Sequence, residues 1–152
     1  MKTILVAIIA ATSLAQAAPG QKKADDWDVV PKLCGKLQHI ERIPDKTIPN
    51  AYSEKSRPLK NINLRAYERR NDSDCCKTVP IVAETASNRT GAFDFKRLPA
   101  GMYWLVATIE NREYKTPVRI QQTKNNQPLC SDLSYAIEDS GEFTLRVRVT
   151  ID

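Results

Sequence analysis

The most constraining feature of the chain is the stretch EFTLRVRVTID at residues 142–152, in which apolar and polar side chains alternate strictly. Its apolar positions are Phe143, Leu145, Val147, Val149 and Ile151. Alternation with a period of two is typical of a β-strand that buries one face and exposes the other. We therefore expect a strand here, with its threonine and arginine side chains in solvent.

Shorter alternating segments recur along the chain between turn-forming residues, and no window after residue 17 has the 3.6-residue period of an amphipathic helix. The predicted strands cover residues 32–40, 59–69, 78–86, 91–98, 101–110, 113–122, 129–139 and 142–152. Residues 41–58 contain three prolines and are predicted to form a long loop. Seven to eight short strands predict an all-β, antiparallel Greek-key β-sandwich.

Three local features refine this expectation. Phe93 and Phe95 are two residues apart, so both should point into the core. Residues 101–110 are apolar on both faces, which favours a central strand. Pro117 has no amide hydrogen to donate, so the strand that contains it is predicted to lie at a sheet edge.

The N-terminus has the pattern of a secretory signal peptide. Lys2 precedes a short apolar run, and Ala15-Gln16-Ala17 supplies small residues two apart. The run is shorter than the ~20 residues of a membrane span. We expect a signal peptide at 1–17 that is removed on export, with a retained N-terminal anchor as the alternative.

Export predicts a secreted or periplasmic protein with no membrane span after cleavage. It leaves a polar, flexible segment at 18–30 and one domain at 31–152, a length that can bury a core. Loss of Lys2 lowers the formal charge from +5 to +4. The charges are dispersed along the chain, so nucleic acid is not expected as a partner.

The cysteines Cys34, Cys75, Cys76 and Cys130 all lie in the exported part. Four cysteines in an oxidising compartment predict two disulfides, for which three pairings exist. A bridge between adjacent residues strains the peptide between them, so we expect Cys34 and Cys130 each to pair with one member of the adjacent couple. A thiol-redox pair or a metal site is the alternative, although the spacing matches no zinc motif.

Two stretches carry a family resemblance. PLKNINLRAYER at 58–69 and ETASNRTGAFDFKRLPAGMYWLVA at 84–107 resemble the prealbumin-like, or transthyretin-like, β-sandwich family. This family includes the carboxypeptidase regulatory-like and Cna-B-like domains of bacterial secreted proteins. The shared pattern is T…G-x-F-x-F-x-x-L-P-x-G-x-Y-x-L, and it implies a prealbumin-like fold from about residue 33 to 151. It implies no function, because one fold hosts many activities.

The residues offer little for catalysis. His39 is the single histidine, so the histidine-rich sites of hydroxyisourate hydrolases and intradiol dioxygenases, which share this fold, cannot be assembled. No grouping of nucleophile, histidine and acid is evident. We expect a protein without catalytic residues, bound metal or cofactor, and with His39 as an ordinary strand residue.

A binding role remains. Binding residues favour loops on rigid scaffolds, which directs attention to residues 41–58. The candidate surface aromatics are Trp27, Tyr52 and Tyr67, whereas Trp104 is expected in the core. The favoured function is a non-catalytic structural or protein-interaction role at the cell envelope, with an unknown protein or envelope component as partner. A carbohydrate-binding module is the alternative, and a thiol-redox protein or other enzyme is the third hypothesis.

Overall fold

The computed structural model describes residues 28–69, 75–76, 79–122 and 128–148, so the predicted signal peptide and Trp27 lie outside the described residues. The described chain contains ten β-strands, one 3-10 turn and no α-helix. The strands are β1 Asp28–Val30, β2 Cys34–Pro44, β3 Tyr52–Pro58, β4 Asn63–Glu68, β5 Ile81–Ala86, β6 Ala92–Asp94, β7 Gly101–Ile109, β8 Arg112–Ile120, β9 Leu133–Glu138 and β10 Phe143–Val147. The 3-10 turn, Cys130–Asp132, leads into β9.

Sheet A has the strand order β1-β8-β7-β4-β5. β7 lies in the centre, as its apolar sequence predicts. The expectation that the strand of Pro117 lies at an edge is wrong, because β1 runs parallel to β8 on its outer side. This ladder begins with Asp28 opposite Val118, so Pro117 precedes the covered part of β8. The strand is an edge only locally, at the position where proline requires it.

Sheet B has the order β10-β9-β2-β3, and β6 also pairs with β2. β2 and β9 are parallel, with Lys36 opposite Ser134 and Ile40 opposite Glu138. The other pairings of this sheet are antiparallel.

The prediction of an all-β fold is confirmed, but two details need correction. The described residues form ten strands instead of seven to eight, because β1 forms within the segment assigned to 18–30 and β3 forms within the predicted loop 41–58. Both sheets are mixed, since each contains one parallel pairing, so the expected purely antiparallel arrangement is wrong. Alternation within a strand reports burial of its faces and carries no information on the direction of its neighbour.

The two sheets share one apolar core. Leu64 and Leu105 of sheet A belong to the same buried cluster as Leu37 and Tyr135 of sheet B. Phe93 of β6 lies in this cluster with its ring centroid 5.3 Å from that of Tyr135. Phe93 and Phe95 are both buried, as their spacing predicts. Each large apolar side chain buried in this way stabilises the fold by roughly 1.5–3 kcal/mol.

A tight turn at Asn88–Gly91 places β6 against β2. The Asn88 side-chain oxygen accepts hydrogen bonds from the backbone amides of Thr90 and Ala92, at 2.9 and 3.0 Å. The Gly91 carbonyl accepts a bond of 2.8 Å from the Leu37 amide. Gly91 has φ +79°, and a Cβ atom there would overlap the Leu37 carbonyl oxygen. Glycine is therefore required by both the conformation and the close approach.

The disulfide pairing differs from the expected one. Cys34 is bonded to Cys130, with their Cα atoms 5.3 Å apart, and Cys75 is bonded to Cys76. The reason lies in the parallel pairing of β2 with β9, whose register brings the start of β2 beside the 3-10 turn that contains Cys130. Cys34 and Cys130, which were each expected to bond to Cys75 or Cys76, are therefore bonded to each other.

Candidate functional surfaces

The first candidate surface is a hairpin arm, residues 41–55, formed by the outer halves of β2 and β3. The parallel ladder with β9 ends at Ile40, so beyond that residue β2 pairs only with β3. Four further pairs, from Glu41 with Lys55 to Pro44 with Tyr52, extend the hairpin. At about 3.4 Å per residue, this two-stranded part is roughly 14 Å long. Apart from Ala51, every residue of the arm is exposed.

The arm exposes apolar side chains on both faces and at its tip. Tyr52 is 53% exposed, Ile43 is 42% exposed and Ile48, in the tip, is 57% exposed. Tyr52 lies opposite Pro44, and Ile43 lies opposite Ser53, so these two side chains are on opposite faces. Exposed apolar groups of this size, carried on a projecting hairpin, are typical of a contact surface.

The tip is internally hydrogen-bonded despite its exposure. The Asp45 carboxylate accepts bonds from the amide and hydroxyl of Thr47, at 2.7 and 2.6 Å. The Asp45 amide donates to the Ala51 carbonyl at 2.8 Å. The hydrogen bonds from Thr47 lower the pKa of Asp45 below its ordinary value of 3.8. An ordered tip presents Ile48 with less conformational entropy to lose on binding than a mobile loop would.

An ionic ring joins the root of the arm to the body of sheet B. We define it as Arg42 of β2, Glu54 of β3, Glu138 of β9 and Arg146 of β10. Arg146 donates to the two Glu54 oxygens at 2.7 and 3.3 Å and to Glu138 at 2.9 Å. Arg42 donates to Glu138 at 3.2 Å and lies 3.8 Å from Glu54. Each arginine therefore contacts both carboxylates.

The ring spans the whole sheet. Glu54 and Arg146 lie on the two outermost strands of the order β10-β9-β2-β3, so both side chains extend across the outer face to meet. Ile40 and Ala136, which share this face, are 3% and 0% exposed. The polar face of β10, expected to be solvated, instead contributes Arg146 to this ring.

The contact between Glu54 and Arg146 shifts the pKa of each group toward its charged form. The pKa of Glu54 lies below its ordinary value of 4.5, and the largest cause is the hydrogen bonding from Arg146. The same bonds raise the pKa of Arg146. Glu138 is the most enclosed member, with its side chain 7% exposed. Two guanidinium groups donate to this buried carboxylate, and these charge-assisted hydrogen bonds tie the root of the arm to β9 and β10.

The second candidate surface is on the outer face of sheet A, and we call it the arginine face. Register pairs place its side chains in three rows across β4, β7 and β8. The outer rows are cationic at both ends, and the middle row is apolar. The rows are Arg65-Val106-Lys115, Tyr67-Trp104-Pro117 and Arg69-Met102-Arg119.

Guanidinium groups cover the aromatic rings of this face. The Arg69 guanidinium lies 4.8 Å from the Trp104 ring centroid, and that of Arg65 lies 5.9 Å from the Tyr67 ring. Arg65 also donates to Glu113 at 2.6 Å. The Arg119 guanidinium is 4.0 Å from the Met102 sulfur. Stacking on a ring restricts the orientation of a guanidinium group.

The structure separates the aromatic residues singled out in the sequence. Tyr52 is exposed on the arm, with the Arg42 guanidinium 4.9 Å from its ring centroid. Tyr67 is only 5% exposed, so its assignment to a binding surface is corrected to a buried position beneath the arginine face. Trp104 is partly exposed on that face instead of in the core. Trp27 lies outside the described residues.

His39 lies on β2, as expected of a strand residue, with Nε2 2.9 Å from a carboxylate oxygen of Asp139. Among the described residues no cluster of three or more histidine, cysteine, aspartate or glutamate side chains could hold a metal ion. No helix in the described part of the chain is long and apolar enough to span a membrane.

Comparison with known proteins identifies no relative. No family model matches the chain, and no curated protein or solved structure matches it significantly. The function must therefore be argued from the two surfaces themselves.

Sequence reasoning missed the arginine face, although a signal was present. Residues 65–69 read Arg-Ala-Tyr-Glu-Arg and residues 115–119 read Lys-Thr-Pro-Val-Arg. Both place two cations four residues apart, with Tyr67 or Pro117 midway, and the period of two puts all three on one face. What could not be foreseen is that β7 lies between these strands and adds Trp104.

Proposed function

We propose that this protein is an exported, non-catalytic β-sandwich domain that binds another protein or an envelope component through its hairpin arm. The observation that carries the proposal is the arm itself, an ordered two-stranded projection that exposes Ile43, Ile48 and Tyr52. Aromatic and aliphatic side chains presented on a rigid element are the usual anchors of protein interfaces.

Other features support the setting of this function. The N-terminal pattern supports export, and the Cys34–Cys130 bond is compatible with an oxidising compartment. The turn at Gly91 and the inward Phe93 and Phe95 agree with the motif that resembles the prealbumin-like family. We accordingly propose a divergent prealbumin-like sandwich, with two mixed sheets, as the scaffold of the arm.

The proposal is tested by placing a photo-crosslinking amino acid at position 48 in the tip of the arm. The full-length protein, expressed in its native host, is irradiated, and adducts are resolved by electrophoresis and identified by mass spectrometry. We expect a discrete adduct from position 48 and none from position 96, an exposed lysine outside the arm. Excess wild-type protein should compete for the adduct.

The matched control is a competitor with Ile48→Ser and Tyr52→Ser. Both side chains are exposed, so the fold should be retained, which circular dichroism verifies. This competitor should fail to reduce the adduct. Equal competition by the variant and the wild type, or the same adduct from position 96, would show that the arm is not the contact element.

A further inference from the structure

We propose that the arginine face binds an extended, acidic segment of a partner protein. The segment carries two acidic side chains four residues apart, with an apolar side chain midway between them. This site lies on sheet A, on the face opposite the core, whereas the arm belongs to sheet B. The inference is therefore independent of the function proposed for the arm.

The spacing of the face fits a peptide in β-conformation. Lys115, Pro117 and Arg119 follow one another at every second residue of β8, so each is about 6.8 Å from the next and the two cations are about 13.6 Å apart. Arg65 and Tyr67 of β4, with Arg69 directly after the strand, repeat the same order. An extended segment has this same side-chain period, so its acidic, apolar and acidic positions can match the three rows simultaneously.

Charge complementarity favours an anionic partner on the β8 side. Lys115 and Arg119 form no ion pair with any described residue, and Lys115 is exposed. Two acidic side chains lie at one end of this face. Glu113, two residues before Lys115 on β8, pairs with Arg65, and Glu84 lies opposite Arg65 on β5, so Arg119 is the β8 cation farther from both carboxylates. Cations that form no ion pair attract carboxylates and set the orientation of binding.

The apolar row supplies the contact between the two cationic rows. Pro117 and Trp104 are register partners and are each partly exposed. Val29 of β1, which lies opposite Arg119, is 45% exposed and extends the apolar surface at this edge. An apolar side chain placed between two acidic ones would be buried against this row while its neighbours reach the cations.

The covered rings favour a peptide over a sugar or a nucleic acid. Sugar stacking and base stacking both need an open aromatic face. Tyr67 is buried, and the Arg69 guanidinium lies over the ring of Trp104. A peptide can contact the cations of β8 and the partly exposed residues of the apolar row instead. Lys115 is exposed, and Arg119, Trp104 and Pro117 are each partly exposed.

The experiment is a selection of random decapeptides displayed on phage against the full-length exported protein. We expect enrichment of peptides with Asp or Glu at two positions four apart and an apolar residue midway. The double variant Lys115→Glu, Arg119→Glu should bind the selected peptide at least about tenfold more weakly. Binding to wild type should also weaken as salt is raised.

A matched control separates the local effect from the change in net charge. Lys36→Glu, Lys96→Glu changes the net charge equally at exposed lysines outside the face and should bind like wild type. A selected peptide whose acidic residues are replaced by lysine should bind the Lys115→Glu, Arg119→Glu variant and not the wild type. Thermal unfolding of each variant verifies the fold.

Three outcomes would overturn the proposal. The first is the absence of acidic enrichment, or enriched peptides that bind both double variants equally. The second is a failed peptide selection together with binding of heparin that requires Lys115 and Arg119, which would assign the face to a sulfated polymer. The third is a wild type that is dimeric in sedimentation velocity and a Lys115→Glu, Arg119→Glu variant that is monomeric, which would assign the face to a second copy of the chain.

Discussion

Glu138 is the residue on which the ionic ring depends most. It is the most buried carboxylate of the ring, and both Arg42 and Arg146 donate to it. Removing one partner of a buried charged group leaves the others without compensation, which costs more than the same change at the surface. The contribution of an ion pair in this protein should therefore depend on its burial more than on its length.

The substitution Glu138→Gln tests this dependence. We expect it to lower the free energy of unfolding by about 1–3 kcal/mol, measured by urea denaturation, because two guanidinium groups lose a buried anionic acceptor. The control is Glu113→Gln. This change removes the 2.6 Å ion pair between Arg65 and the Glu113 carboxylate, whose side chain is 56% exposed. That change should cost less than about 1 kcal/mol. Equal losses from both would contradict the dependence on burial.

Glu54 makes the same ring sensitive to acid. Its pKa is lower in the folded protein than its ordinary value of 4.5, chiefly because Arg146 donates to it. A carboxylate with a lowered pKa stabilises the fold above the pKa of the unfolded chain, and this stabilisation is lost as the pH falls through the folded pKa. Wild type should therefore be more stable than Glu54→Gln at pH 7, and the difference should shrink below about pH 4.5.

The measurement is the urea midpoint of both proteins between pH 7 and pH 3. Glu142→Gln serves as the control, because Glu142 is an exposed carboxyl outside the ionic ring. Its midpoints should run parallel to those of wild type. A difference between wild type and Glu54→Gln that stays constant over this range would refute the assigned role of the Arg146 contact.

At the scale of elements, the turn at Asn88–Gly91 determines how β6 meets β2. Gly91 and Gly141 have similar positive φ angles, +79° and +88°, but a Cβ at Gly91 would overlap the Leu37 carbonyl oxygen and one at Gly141 would meet nothing within 4 Å. Substitution of Gly141 therefore measures the free-energy cost of the backbone conformation alone. Substitution of Gly91 measures that cost together with the cost of the steric overlap.

Alanine substitutions at these two glycines should differ in cost. Gly141→Ala should lower the free energy of unfolding by about 1–2 kcal/mol, the cost of a left-handed conformation for an L-residue. Gly91→Ala adds a steric overlap with backbone and should cost about 2–4 kcal/mol. Chemical denaturation of both variants provides the comparison, and a Gly91→Ala variant no less stable than Gly141→Ala would disprove the close approach.

The arm is the element for which local pattern was least informative. Three prolines within 41–58 predicted a loop, yet the structure has Pro44 as the last residue of β2 and Pro58 as the last residue of β3. At strand ends, and on the edge strand β3, a missing amide hydrogen breaks no internal ladder. Pro44 and Pro58 thus mark where β2 and β3 end, but they do not prevent these strands from forming.

At the scale of the whole molecule, the Cys34–Cys130 bond closes a loop of 96 residues and joins β2 to the turn before β9. A long closed loop restricts the unfolded chain strongly, whereas the bond between the adjacent Cys75 and Cys76 closes almost none. The two bonds should therefore contribute very differently to stability.

The double variant Cys34→Ala, Cys130→Ala should lose about 2–5 kcal/mol of unfolding free energy in urea denaturation. Cys75→Ser, Cys76→Ser should stay within about 1 kcal/mol of wild type, since almost no loop closure is lost. Peptide mapping of the unreduced protein should recover a peptide pair linked through Cys34 and Cys130. Recovery of either residue linked to Cys75 or Cys76 would overturn the pairing.

The sequence by itself determined the all-β class, most strand positions, the inward direction of Phe93 and Phe95 and the turn at Gly91. These features follow from side-chain period and from the conformational freedom of glycine, which act over a few residues. The sequence also held the cation–apolar–cation order of residues 65–69 and 115–119, but a single strand does not show which strand lies beside it.

Only the tertiary structure decided the strand directions, the disulfide partners and the two surfaces. The parallel pairing of β2 with β9 brings Cys34 to Cys130, and the order of sheet A inserts Trp104 between two cationic strands. The ionic ring likewise joins residues up to 104 positions apart in sequence, from Arg42 to Arg146. Such contacts depend on which strands become neighbours, and that is set by burial of the shared core as a whole instead of by any local pattern.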